Sequence, residues 1–212
     1  MKLTSNLIIL IFISVLSLQQ LQAQHIKIDK KILSFLAVED SINIVFSYKD
    51  VLFEDGNVTE DEFLKNHKAI KKEHLGEDAS EDWENTYYEY KDALWTETFN
   101  NTLNEKISEY KNAPVFVLNN MNTKYSMKVH TVWMYFGYNV IAAKWPAKVK
   151  LDITFYETNH PEEIIYTTTI DKALGTNNEV YNLRNWPSYR RVGKAYEKGA
   201  YKFAQAIKRI VD

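Results

Sequence analysis

His67 and His74 stand seven residues apart, so an unbroken helix would put them on one face, two turns from each other, with Glu73 beside the second. Metal ions need ligands closer than that, or a third donor from elsewhere, so the pair reads as two exposed histidines. His130 and Asp152 come from two alternating stretches, and whether they become near neighbours on the open face of a sheet depends on the register between those stretches. A carboxylate beside an imidazole is the pairing an acid–base mechanism uses. On a polar strand face, however, the same pair usually only meets solvent, and that is the reading taken here.

The chain holds no glycine-rich phosphate loop, no nucleophile elbow and no His-Glu-x-x-His pattern. Residues 50–62 resemble a calcium loop only faintly. With Gly56 at the sixth position, Val51 falls where the first acidic ligand must be. There is no cysteine, which removes thiolate zinc sites, thiol nucleophiles and disulfides. The expectation is a non-catalytic protein with no metal site and no cofactor.

Aromatic residues are the stronger signal. The chain has 14 tyrosines, 10 phenylalanines and 5 tryptophans. Tyr138, Trp145 and Trp186 fall in or beside loops rather than on core stripes, and Phe136 ends an apolar run with Val132 and Met134. Loop aromatics either close the ends of a core or anchor a partner. The binding reading places a site on Phe136, Tyr138, Trp145 and Trp186, built by the connections 137–146 and 173–187. A protein partner from the cell envelope is the first expectation. A small ligand, a glycan or lipid head group, is the alternative. Net charge is −2, which argues against nucleic acid. That balance hides an asymmetry: residues 54–92 carry 13 acids and 5 lysines, residues 184–209 carry 8 basic residues and one acid. The two segments are either solvated or face each other and neutralise.

These residues need a scaffold, and the patterns describe one. Ser41 to Tyr48 alternates, with Ile42, Ile44, Phe46 and Tyr48 on one face of a half-buried strand. Thr59 and Glu62 form a capping box, opening a helix to about Lys72. Ser80 is read as the cap of a second helix, about 81–110, with a stripe at Trp83, Tyr87, Leu94, Phe99, Leu103 and Ile107. Strands follow at 115–119, 125–136, 147–156 and 164–170. In the second of these, Met127, Val129, Thr131, Trp133 and Tyr135 share a face. Ser188 caps a last helix to about Val211. The fold class expected is α+β: a mainly antiparallel sheet of about five strands, with helices packed on one face.

The last helix, RVGKAYEKGAYKFAQAI from Arg191 to Ile207, resembles the closing helix of small secreted envelope proteins of Gram-negative bacteria. The strand text WMYFGYN from Trp133 and AKVKLDITFYE from Ala147 resembles the same set. The fold that this implies is similar to the N-terminal domain of the Tol translocation protein and to penicillin-binding-protein activator lipoproteins. The function it implies is an envelope binding or accessory module. The resemblance spans residues 115–211 and carries packing residues, with no catalytic signature. The acylated cysteine of the lipoprotein members has no counterpart in this chain.

At the other end, Lys2, an apolar run of 12 residues from Leu7 to Leu18 and a small residue at Ala23 read as a secretory signal. A spanning helix needs roughly 20 apolar residues. Residues 1–23 are therefore expected to be cleaved, leaving residues 24–212 as a single domain, periplasmic or extracellular, without a direct membrane anchor.

Overall fold

A computed structural model describes residues 26–140, 143–180 and 182–212. The signal segment expected at residues 1–23 lies outside the described residues. A 3₁₀ turn at Ile32–Ala37 leads into β1, Ser41–Ser47. Its Ile42 and Ile44 are fully buried, as their alternation requires. A short hairpin follows, β2 at Leu52–Phe53 and β3 at Val58–Thr59. Helix α1, Glu60–Leu75, opens with the reciprocal bonds of the capping box. Helix α2, Glu77–Glu89, starts after Gly76 rather than at Ser80. Ser80 is buried and donates instead to the Lys68 carbonyl at 3.1 Å.

The long helix expected at 81–110 is interrupted. A π turn at Tyr90–Leu94 joins α2 to α3, Trp95–Ile107. The turn carries one more residue than an α turn, which rotates the stripe. Trp95 therefore enters the core in place of Leu94, followed by Phe99, Leu103 and Ile107.

The remaining strands are β4 (Val115–Leu118), β5 (Tyr125–Tyr135), β6 (Tyr138–Val140), β7 (Ala143–Trp145), β8 (Ala147–Glu157) and β9 (His160–Gly175). Helix α4, Tyr189–Val211, closes the chain, and Ser188 accepts its cap bond from the Arg191 amide. Seven strands form one mixed sheet, and β6 with β7 form a separate hairpin. Strands β5, β8 and β9 make the expected antiparallel meander. The sheet as a whole is not mainly antiparallel. β1 runs parallel to β4 on one side and to β5 on the other, and β2 is parallel to β5. A parallel pair needs a crossover, and α1 to α3 supply it between β1 and β4.

A bulge in β5 between Thr131 and Trp133 shifts the register against β8. It turns each later side chain to the opposite face. Met134 and Phe136 enter the core, while Trp133 and Tyr135 move to the open face and stack at 6.2 Å. The apolar surplus read at Val132, Met134 and Phe136 is thus mostly core. Inward residues Val129, Leu151, Ile153 and Phe155 are fully buried, and Phe155 packs on Phe203 of α4. Among the described residues, no helix is long and apolar enough to cross a membrane.

Candidate functional site

Gly137 makes the site possible. Its φ is +65°, and a Cβ there would stand 2.3 Å from the Trp145 carbonyl oxygen. Only glycine lets the chain leave Phe136 and fold back as the β6–β7 hairpin. This places Tyr138 against Trp145, with ring centroids 6.3 Å apart. Buried Asn139 then donates to the Glu179 carbonyl at 2.7 Å, tying the hairpin to the segment 176–188.

The described residues of that segment form no helix or strand, so side chains must satisfy their backbone. Arg191, 4% exposed, donates to Asn177 Oδ1 at 2.9 Å and to the Glu179 carbonyl at 2.8 Å. The Glu179 carboxylate accepts from Ser188 at 2.6 Å and from Asn177 at 2.9 Å. Burial works to raise its pKa. Those hydrogen bonds and the guanidiniums of Arg190 and Arg191 prevail and hold it below the usual carboxylate value. From the other side Lys71, 1% exposed, donates to the carbonyls of Leu183, Arg184 (3.2 Å) and Trp186 (2.6 Å). Burial pulls its ammonium down to about 8.

Two hollows lie against this segment. The first, about 220 Å³, is apolar: Phe63, Phe136, Tyr138, Val140 and Trp186 line it, with Glu54 at its wall. The second, about 710 Å³, is charged. Asp78 and Asp82 of α2 face it together with Arg184 and Arg190, over Trp83 and Tyr90. The acidic and basic segments of the sequence therefore meet across this cleft.

His67 stands in the partition between the hollows. Its ring packs on Phe63 (4.4 Å) and Trp186 (4.6 Å), which line the small one, and on Trp83 (5.5 Å), which lines the large one. It is buried, which corrects the expectation of an exposed histidine; His74 is exposed. Burial, and then the charge of Lys71, lowers its pKa to about 4. Glu54 Oε1 lies 3.6 Å from its Nε2, a weaker influence of opposite sign.

The structure thus brings three of the four loop aromatics, Phe136, Tyr138 and Trp186, to one cavity. Trp145 is not among its lining residues. It is half exposed, beyond Tyr138, with the Lys148 ammonium 5.4 Å from its ring centre. Glu54 and Lys71 escaped the sequence reading, and His67 was read as exposed. Phe63, His67 and Lys71 recur every four residues on the buried face of α1, and that spacing was the available signal.

His130 and Asp152 are direct cross-strand partners. Each is engaged elsewhere, His130 Nδ1 with Ser47 Oγ at 3.3 Å and Asp152 with the Thr169 hydroxyl at 2.6 Å. Neither lines a hollow described above. Among the described residues, one cluster has three metal-type donors within reach of each other: His160, Glu162 and Glu163, all exposed at the turn into β9.

By fold and site this is an α+β protein with a mixed sheet and an aromatic cavity at the sheet's end. No family model matches the chain, and neither a curated protein nor a solved structure is similar to it.

Proposed function

We propose that this chain is an exported, non-catalytic binding module, and that it takes a small ligand by an apolar group held in the 220 Å³ cavity. The observation that carries this reading is the convergence of Phe136, Tyr138 and Trp186 on one concave site. A face built for a protein would present a flat apolar patch. The residues that suggested such a patch, Met134 and Phe136, are core. Lys71 fixes the backbone beside the Trp186 and Pro187 wall before any ligand arrives, and such preorganisation lowers the cost of binding.

A thermal-shift screen of small amphipathic compounds tests the proposal. A ligand at ~100 times its dissociation constant adds ~2.7 kcal/mol of stability. Val140 lines the cavity from an exposed position, so Val140→Trp fills the opening without disturbing the core. The shift is expected in the parent and absent in V140W. A flat screen, or a shift that V140W keeps, contradicts the site.

An envelope protein partner is the second reading, and Trp145 favours it. An indole 50% exposed, on the same hairpin as the exposed Val140, is the kind of side chain that anchors an interface.

A further inference from the structure

We propose that the ligand of this cavity is an organic cation, an alkylammonium group seated among the aromatic rings and facing the Glu54 carboxylate. The inference rests on the cavity being the ligand site, and it adds the ligand's chemistry.

Four aromatic residues besides Tyr135, whose ring stacks on Trp133 at the open face, contribute to the lining: Phe63, Phe136, Tyr138 and Trp186. Aromatic faces attract cations through the ring quadrupole, and more strongly where water is excluded. The one charged lining residue among those described is Glu54. Its Oε1 lies 3.6 Å from the His67 ring nitrogen, and His67 packs on both Phe63 and Trp186. The negative charge therefore stands at the cavity wall. Among the described residues, His67 is the one basic side chain within 4 Å of that carboxylate. Buried and neutral at pH 7, it makes no ion pair with that carboxylate.

The backbone gives an independent sign. Glu54 sits at φ 51°, in the left-handed region that side chains other than glycine's avoid. The position is fixed by its own amide, which donates to the Met134 carbonyl at 3.2 Å, and by its carbonyl, which accepts from the Trp133 indole at 2.8 Å. Glycine would sit there without strain, yet a carboxylate is held there. On the open face of the sheet an aromatic ring already holds an ammonium: Lys148 Nζ stands 5.3 Å from the Tyr135 ring centre. Lys148 does not line the cavity.

Calorimetric titration of the full-length protein with choline and with its neutral carbon isostere, 3,3-dimethylbutan-1-ol, tests the charge directly. Choline is expected to bind at least about tenfold more tightly. Glu54→Gln should remove that preference while leaving the melting temperature unchanged, since the side chain is half exposed. Equal binding of the two probes would overturn the cation inference and leave the cavity as the site. Binding of neither would overturn both. Co-sedimentation with phosphatidylcholine vesicles, competed by free choline, would mark a lipid head group as the source of the cation. Binding to free choline alone would mark a soluble amine.

Discussion

Lowering the pH from 6.5 to 4 is expected to remove about 3 kcal/mol of folding stability through His67 alone. The native pKa is about 4, and the model-peptide value of 6.5 stands for the unfolded chain. Above pH 6.5 neither state holds the proton. As the pH falls, the unfolded chain takes it up first, so stability declines across the window. Below pH 4 both states are protonated and the loss is complete. Two charged groups face the ring: Lys71, one turn along α1, opposes protonation, and Glu54, from the β2–β3 turn, favours it. Burial among Phe63, Trp83 and Trp186 outweighs Glu54. Phenylalanine fits those aromatic contacts and cannot titrate. Urea titrations at pH 7 and pH 4 should therefore show His67→Phe losing about 3 kcal/mol less than the parent. Equal losses in the two proteins would show that the ring is not buried neutral.

The second large effect is at Lys71. Burying an ammonium is costly, and replacing a buried ion with an apolar side chain is often harmless when its partners leave with it. Here the partners stay. Lys71→Met keeps the length of the side chain but strands the carbonyls of Leu183, Arg184 and Trp186. Buried acceptors without donors cost ~1–3 kcal/mol each. The segment can swing out to water and recover part of that, so the expected loss is about 3 kcal/mol. Hydrogen exchange should locate it, with amides 182–186 losing protection while those of β5 and β8 keep theirs. A loss below about 1 kcal/mol would mean that the carbonyl cage does not hold the segment.

Much of the scaffold was legible because its signals are local. The capping box at Thr59 and Glu62, the Ser188 cap and the stripe of α4 each depend on residues within a few positions of one another. The β5–β8 pairing was legible too, but its register was not, and only the structure sets His130 opposite Asp152. What escaped depends on partners far along the chain. Whether β1 runs parallel or antiparallel to β4 is decided by the α1–α3 crossover, and alternation does not encode that. A bulge and a π turn each insert one residue, and a regular period cannot show where. The bulge at Val132 sent Trp133 outward and Phe136 inward, reversing the face assigned to each.

The site divides along the same line. Phe136, Tyr138 and Trp186 were visible as aromatics off the core stripes, although Phe136 meets the cavity from the core side. Trp145 has the same sequence character but stands outside, because Gly137 folds the hairpin so that Tyr138 comes between. Glu54 carried no local signal. Its place at the wall comes from a left-handed turn and from contact with His67, 13 residues later in the chain.

The five tryptophans offer the most direct measurement. In a spectrum of the ¹⁵N-labelled indole groups, each tryptophan of the folded chain gives one signal. Titration with choline or 3,3-dimethylbutan-1-ol should move Trp186 first and furthest. Trp133 and Trp145, outside the cavity, should follow weakly, and no signal should move in Val140→Trp. Movement of Trp133 and Trp145 with Trp186 fixed would contradict a site in this cavity and place recognition on the open face of the sheet.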